Sequence, residues 1–151
     1  AWRLLDEPRG NESFADLVVV RFKGACETAA ASYYSELGPY GEGAALALTR
    51  ISDGHVLPFS EVRCDQIRHY IGPQDGVLGR AMGRVVAHEL YHIFAGTAKH
   101  GSDGVAKSFH TRKELVGEDF AFHPKDSAKL REWKWRALLA GEAHLPDDPS
   151  K

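Results

Sequence analysis

Residues 85–101 read VVAHELYHIFAGTAKHG and carry three of the chain's eight histidines, spaced four and then eight residues apart. They close the most regular apolar pattern in the chain. Over residues 77–95, Val77, Met82, Val85, Val86, Leu90, Ile93 and Phe94 recur at helical spacing, and Gly96 is well placed to end the helix. Residues four apart lie on one helix face about one turn apart, so His88 and His92 can set two imidazole nitrogens ~2.0–2.1 Å from one Zn²⁺. Glu89, next to the first histidine, is displaced sideways towards a metal-bound water, whose pKa zinc lowers to ~7. It is the expected general base. Leu90 is expected in the core, and Tyr91 is expected to pack or hydrogen bond outside the site.

The competing reading is a helix with two histidines that bind nothing. Against it, two histidines and a glutamate on an apolar, buried helix are costly without a shared purpose. A helix-ending glycine and a third histidine, His100, also follow in the loop. His100 is the expected third ligand. Glu114, 22 residues beyond His92 on a possible helix, is the main alternative, with Glu118, Asp119 and His110 as weaker ones. Glu114 also fits a capping box begun by Thr111, which needs no metal. His110 reads equally as a surface histidine, or with Lys107 as an oxyanion donor.

The stretch His88-Glu89-x-x-His92-x-x-x-Gly96-x-x-x-His100 resembles the zincin metallopeptidases, and among them the metzincins, which read HExxHxxGxxH/D. Both spacers after the second histidine are one residue longer here, and the specific match covers about 13 residues. Metzincins carry a methionine turn beneath the metal; the single methionine here, Met82, lies upstream on the helix. No tyrosine follows Tyr91 either, so any base beneath the metal comes from other residues, with GVAKSFH (104–110) as the candidate. The resemblance implies a zinc-dependent endopeptidase, with His88, His92 and His100 on Zn²⁺, Glu89 as base, and a protein or peptide substrate bound in extended form. The alternative is a zinc-stabilised binding or scaffold domain with little turnover, or a non-peptidase zinc hydrolase. Peptide deformylases take an upstream cysteine as ligand, but Cys64 lacks the accompanying motifs of that family.

Outward from the helix, residues 44–51 and 55–62 alternate apolar and polar about Asp53-Gly54, which predicts a β-hairpin. Pro58 argues that the second arm is an edge strand or irregular. As an edge it can pair with an extended peptide, or it is an ordinary hairpin edge. Residues 14–22 predict a buried strand and 26–37 a short helix. The arm before Ser13 reads as irregular, with Trp2, Leu4 and Leu5 as candidates to dock on the core. KDSAKLREWKWRALLAG (125–141) predicts an amphipathic C-terminal helix capped by Asp126 or Ser127, packed through Leu130, Trp133, Leu138 and Leu139, before an irregular tail.

The 151 residues are expected to form one α+β domain over 1–151, zincin-like, with a small mixed β-sheet, an active-site helix and a C-terminal helix. A net charge of -2 gives no reason to expect nucleic acid, and no apolar run is long enough for a membrane span. A monomer is expected. The start shows neither an initiator methionine nor a leader pattern, so the expectation is either a shortened stretch or a mature product whose leader has been removed, and the second reading points to a secreted or periplasmic protein. Cys26 and Cys64 then form a disulfide; in a reducing compartment they are two buried thiols.

Overall fold

The computed structural model describes residues 4, 17–26, 45–73 and 76–132. Within them run β1 (Val19–Lys23), β2 (Ala47–Ser52), β3 (His55–Arg63), α1 (Cys64–Ile71), α2 (Leu78–Ala95), a 3₁₀ turn (Gly104–Ala106) and α3 (Arg112–Val116). Residues 124–132 open a further helix, α4. The strands form one mixed sheet in the order β1-β3-β2, with β1 parallel and β2 antiparallel to β3. The architecture is α+β.

The hairpin forms as its turn chemistry dictates, with Asp53 (φ 50°) and Gly54 (φ 78°) both in the left-handed region required by a tight primed turn. Its second arm, β3, is the central strand rather than an edge. Pro58 is accommodated because the β2 pairing shifts register between Thr49 and Ile51, and because β1 pairing begins only at Phe59. Among the described strands the edge beside α2 is therefore β2. The strand expected over 14–22 starts later, at Val19, and among the described strands it lies at an edge of the sheet: Leu17 and Phe22 are about half exposed. Leu4 stays exposed, while Trp2 and Leu5 lie outside the described residues, as do nearly all of the helix expected over 26–37 and everything in the C-terminal helix beyond 132.

α1 follows β3 without a loop and was not evident from the sequence. Its Cys64, Ile67 and Ile71 lie on one face, and all are buried. They join Val62, Leu78, Ala81, Val85 and Leu115 in the core between sheet, α1, α2 and α3, with Met82 packed against it. A disulfide links Cys26, after β1, to Cys64 at the start of α1, and Asp65 Oδ1 accepts the Ala25 N–H at 2.9 Å.

α2 spans the predicted range and ends at Gly96 in the left-handed conformation (φ 58°, ψ 37°). Its apolar face is not continuous. In the first half Leu78, Ala81 and Val85 are core, but in the second Leu90, Ile93 and Phe94 are half-buried, and the buried positions are Glu89, Tyr91 and His92. The helix spends its last two turns on polar groups. α3 has the predicted capping box in full, with Thr111 and Glu114 exchanging hydrogen bonds. Arg80 and Arg84 of α2 bind the carbonyls at its C-terminal end, from Glu114 O to Glu118 O. α4 starts at Pro124, a favoured first helical position, with His123 Nδ1 accepting the Lys125 N–H at 3.3 Å. Asp126, expected as its cap, instead turns inward onto Tyr91.

The disulfide closes a 38-residue separation, for which the chain-entropy argument gives about 4 kcal/mol. Paired Cys26→Ala and Cys64→Ala replacement should cost about 2–4 kcal/mol, read from denaturant unfolding curves of the two proteins.

Candidate metal centre

The ring nitrogens of His88 and His92 are sorted by the backbone. His88 Nδ1 lies 2.7 Å from Val105 O, and His92 Nδ1 lies 2.7 Å from Thr97 O. A carbonyl only accepts, so each Nδ1 carries the proton and each Nε2 is left with its lone pair. The two Nε2 atoms face each other at 3.1 Å. Facing lone pairs repel unless a cation or a proton lies between them. Two nitrogens bound tetrahedrally at 2.0–2.1 Å to one ion stand about 3.3 Å apart, close to the spacing found.

His100 completes the group. Its ring is stacked on His88 (centroids 5.3 Å, 13°) and perpendicular to His92 (4.8 Å, 88°), and one ligand atom from each of the three falls within 4.8 Å of the others. These residues can hold a metal ion. Among the described residues no fourth His, Cys, Asp or Glu joins this group of three. His92 is buried, His88 half-buried and His100 exposed, so the group opens on one side. Hydrogen bonds from the distal ring nitrogens to backbone oxygens are the usual support of metal-binding histidines.

The longer spacers have a structural reason. Left-handed Gly96 turns the chain so that the Thr97 N–H reaches His92 O (3.1 Å) while the Thr97 carbonyl returns to the ring of the same residue. The chain then passes His100 and closes on itself, with Gly101 N–H to Ala106 O at 2.7 Å. Val105 and Ala106 are buried, and the Val105 N–H is held by Ala121 O at 3.0 Å. Of the segment 104–110, Val105 meets the histidine group through its backbone carbonyl. Gly104 has φ 61° and lies against the Ala121 carbonyl, leaving no room for a side chain.

Glu89 is 6% exposed, and its Oε2 accepts a hydrogen bond from Thr49 Oγ1 at 2.6 Å. Burial raises its pKa, opposed by that bond. Burial lowers the pKa of His88 to about 4 and lowers those of His100 and His110, which favours neutral, ligand-ready imidazoles. A cavity of about 530 Å³ opens over Glu89 and the histidines, walled by residues 45–49, which lead into and begin β2, and by Tyr70, Phe109 and His110.

The alternative ligands lie elsewhere. Glu114 is engaged by Thr111 and by Lys107, which hold its carboxyl down to about 2. Glu118 and Asp119 are exposed. His110 sits edge-on to His88 at 5.5 Å, outside the ligand group, with its Nε2 buried and unpaired. Thr49 was missed, because a threonine in a hairpin arm gives no signal; so were the Thr97 and Val105 carbonyls, which side-chain motifs cannot record. Comparison with protein-family models, curated proteins and solved structures finds no match. The site has to be read from its geometry.

Two outcomes follow from that geometry. Gly104→Ala should displace the Val105 carbonyl and weaken metal binding about 10–100-fold, measured by chelator competition, whereas Glu114→Gln should leave it within about threefold. Between pH 6.5 and about 4 the unfolded chain protonates its His88 side chain and the folded protein does not. The metal-free protein should therefore lose up to about 3 kcal/mol as pH falls through that window, seen as a falling urea midpoint.

Proposed function

We propose that this domain is a zinc-dependent endopeptidase of zincin type, metzincin-like in its histidine spacing and without a methionine turn. The observation that carries the reading is the convergence of three histidine ligand atoms beside a buried glutamate, at the floor of an open cavity. Zinc is the ion best matched to three neutral imidazoles in a set left open at the fourth position. Bound there, it supplies Lewis acidity that polarises a carbonyl and makes water a nucleophile near neutral pH.

The chain's own residues do the rest. His88 and His92 present Nε2 to the ion, held by their Nδ1–H bonds to Val105 O and Thr97 O. Glu89 takes the proton of the attacking water on a carboxylate oxygen and passes it to the leaving amine. Its burial raises its basicity, which suits a group that accepts a proton and gives it back. A substrate in extended form adds to the outer edge of β2, with which no described strand pairs and whose residues line the cavity. This assigns the substrate edge to the first hairpin arm instead of the second.

The Cys26–Cys64 disulfide is compatible with an oxidising compartment, so we include export in the reading. Among the described residues no helix is long and apolar enough to cross a membrane. Glu89→Ala tests the mechanism: it should keep one zinc per chain while cleavage of an unstructured protein falls by at least about 10²–10⁴-fold. Cleavage at the wild-type rate would refute it.

A further inference from the structure

Next to the histidines lies a pair of hydroxyls that metal binding leaves without a task. Thr49 on β2 and Ser60 on β3 are paired in register, with their oxygens 2.8 Å apart, and Thr49 Oγ1 is 2.6 Å from Glu89 Oε2. Ser60 is 4% exposed. A hydroxyl has one proton, and an ionised carboxylate only accepts. The Thr49 proton therefore goes to Glu89, and Thr49 in turn accepts the proton of Ser60. The chain runs one way, Ser60 to Thr49 to Glu89, and each bond polarises the next. At 2.6 Å the last bond has the length of a charge-assisted one.

We propose that Thr49, backed by Ser60, is the positioning residue for the proposed general base: it pins the Glu89 carboxylate through Oε2 and leaves Oε1 for the reacting water. The proposal rests on the peptidase reading above. Oε1 carries no hydrogen bond from the described residues, and both Thr49 and Glu89 line the cavity. A neutral donor suits the task. An arginine or lysine would also orient the carboxylate, but its charge would suppress the basicity on which proton transfer depends. Because Thr49 belongs to the strand proposed to align substrate, the same element sets the carboxylate and the peptide relative to each other.

Two measurements test this. In the zinc-free protein, a double-mutant cycle of Thr49→Val with Glu89→Ala, followed by denaturant unfolding, should be non-additive by about 10-fold in the folding equilibrium constant. Additivity would overturn the contact. In the zinc-loaded protein acting on an unstructured protein substrate, Thr49→Val should lower kcat about 10–100-fold, with KM within about threefold and zinc stoichiometry unchanged. Thr49→Ser, which keeps the hydroxyl, should restore most of it. Ser60→Ala should give a smaller loss of the same kind, and it decides the matter if Thr49→Val does not fold. A wild type that cleaves while Thr49→Val keeps its kcat overturns the role given to Thr49 alone. A wild type that cleaves nothing overturns the peptidase reading, and this role with it.

Discussion

The Val105 and Thr97 carbonyls each accept an Nδ1 proton at 2.7 Å, and the rest of the site depends on those two bonds. They choose the tautomer of His88 and His92, turn both Nε2 lone pairs to one point and fix both ring planes. Neither carbonyl lies in an α-helix or a strand: Thr97 follows α2 and Val105 sits in the short 3₁₀ turn. Each is held by backbone contacts of the loop that also carries His100, so one short segment supplies the third histidine and the supports of the other two. The 3₁₀ turn, the closure from Gly101 to Ala106 and the bond from Val105 to Ala121 all keep that segment at one distance from α2.

A second layer holds the segment from behind. Tyr91, 1% exposed, donates to Asp126 Oδ1 at 2.9 Å and receives a bond from Lys129 Nζ at 3.1 Å, which ties the back of α2 to α4. Asp126 also lies against Gly101, where a side chain would meet its Oδ2 at 2.9 Å. The residue after His100 is thus pressed between α4 and Ala106, and the exposed histidine is steered by its backbone. On α2, successive residues divide the labour. His88 and His92 face the cavity, Glu89 reaches sideways to β2, and Tyr91 points away into the scaffold. That division explains why the apolar face of the helix breaks down after Val85.

What was legible in the sequence follows the same lines. α2, its glycine stop, the hairpin turn and the α3 capping box were readable because each is fixed by local chemistry: periodicity, a left-handed glycine, two positive φ values, two reciprocal side-chain bonds. The three histidines were readable because their spacing has a geometric meaning on a helix. Of the two readings that Pro58 left open for β3, the irregularity is the one found: a register shift absorbs the missing ladder bond just before β1 joins, and only the full pairing excludes the edge. α1 was overlooked because its apolar stripe is three residues on eight. Asp126 looked like a cap in the chain, and only the fold reveals the buried tyrosine hydroxyl that claims it. The supports of the histidines are carbonyls, which any residue possesses, so nothing in the sequence marks them.

The same inventory bears on whether a bound metal serves chemistry or only the fold. Structural zinc sites are closed, most often by thiolates, which neutralise the ion. Both cysteines here are joined in a disulfide and withdrawn from that use. Glu114, the main alternative ligand, is instead committed to Lys107 and Thr111. Three neutral imidazoles would leave the full charge of the ion facing the cavity, where it acts most strongly on a water or a carbonyl oxygen. The Glu89 carboxylate, next to His88 in the chain, is held by Thr49 on a neighbouring strand. A scaffold would gain stability by bringing that carboxylate onto the metal, whereas a hydrolase has reason to keep it one hydrogen bond away, as a base.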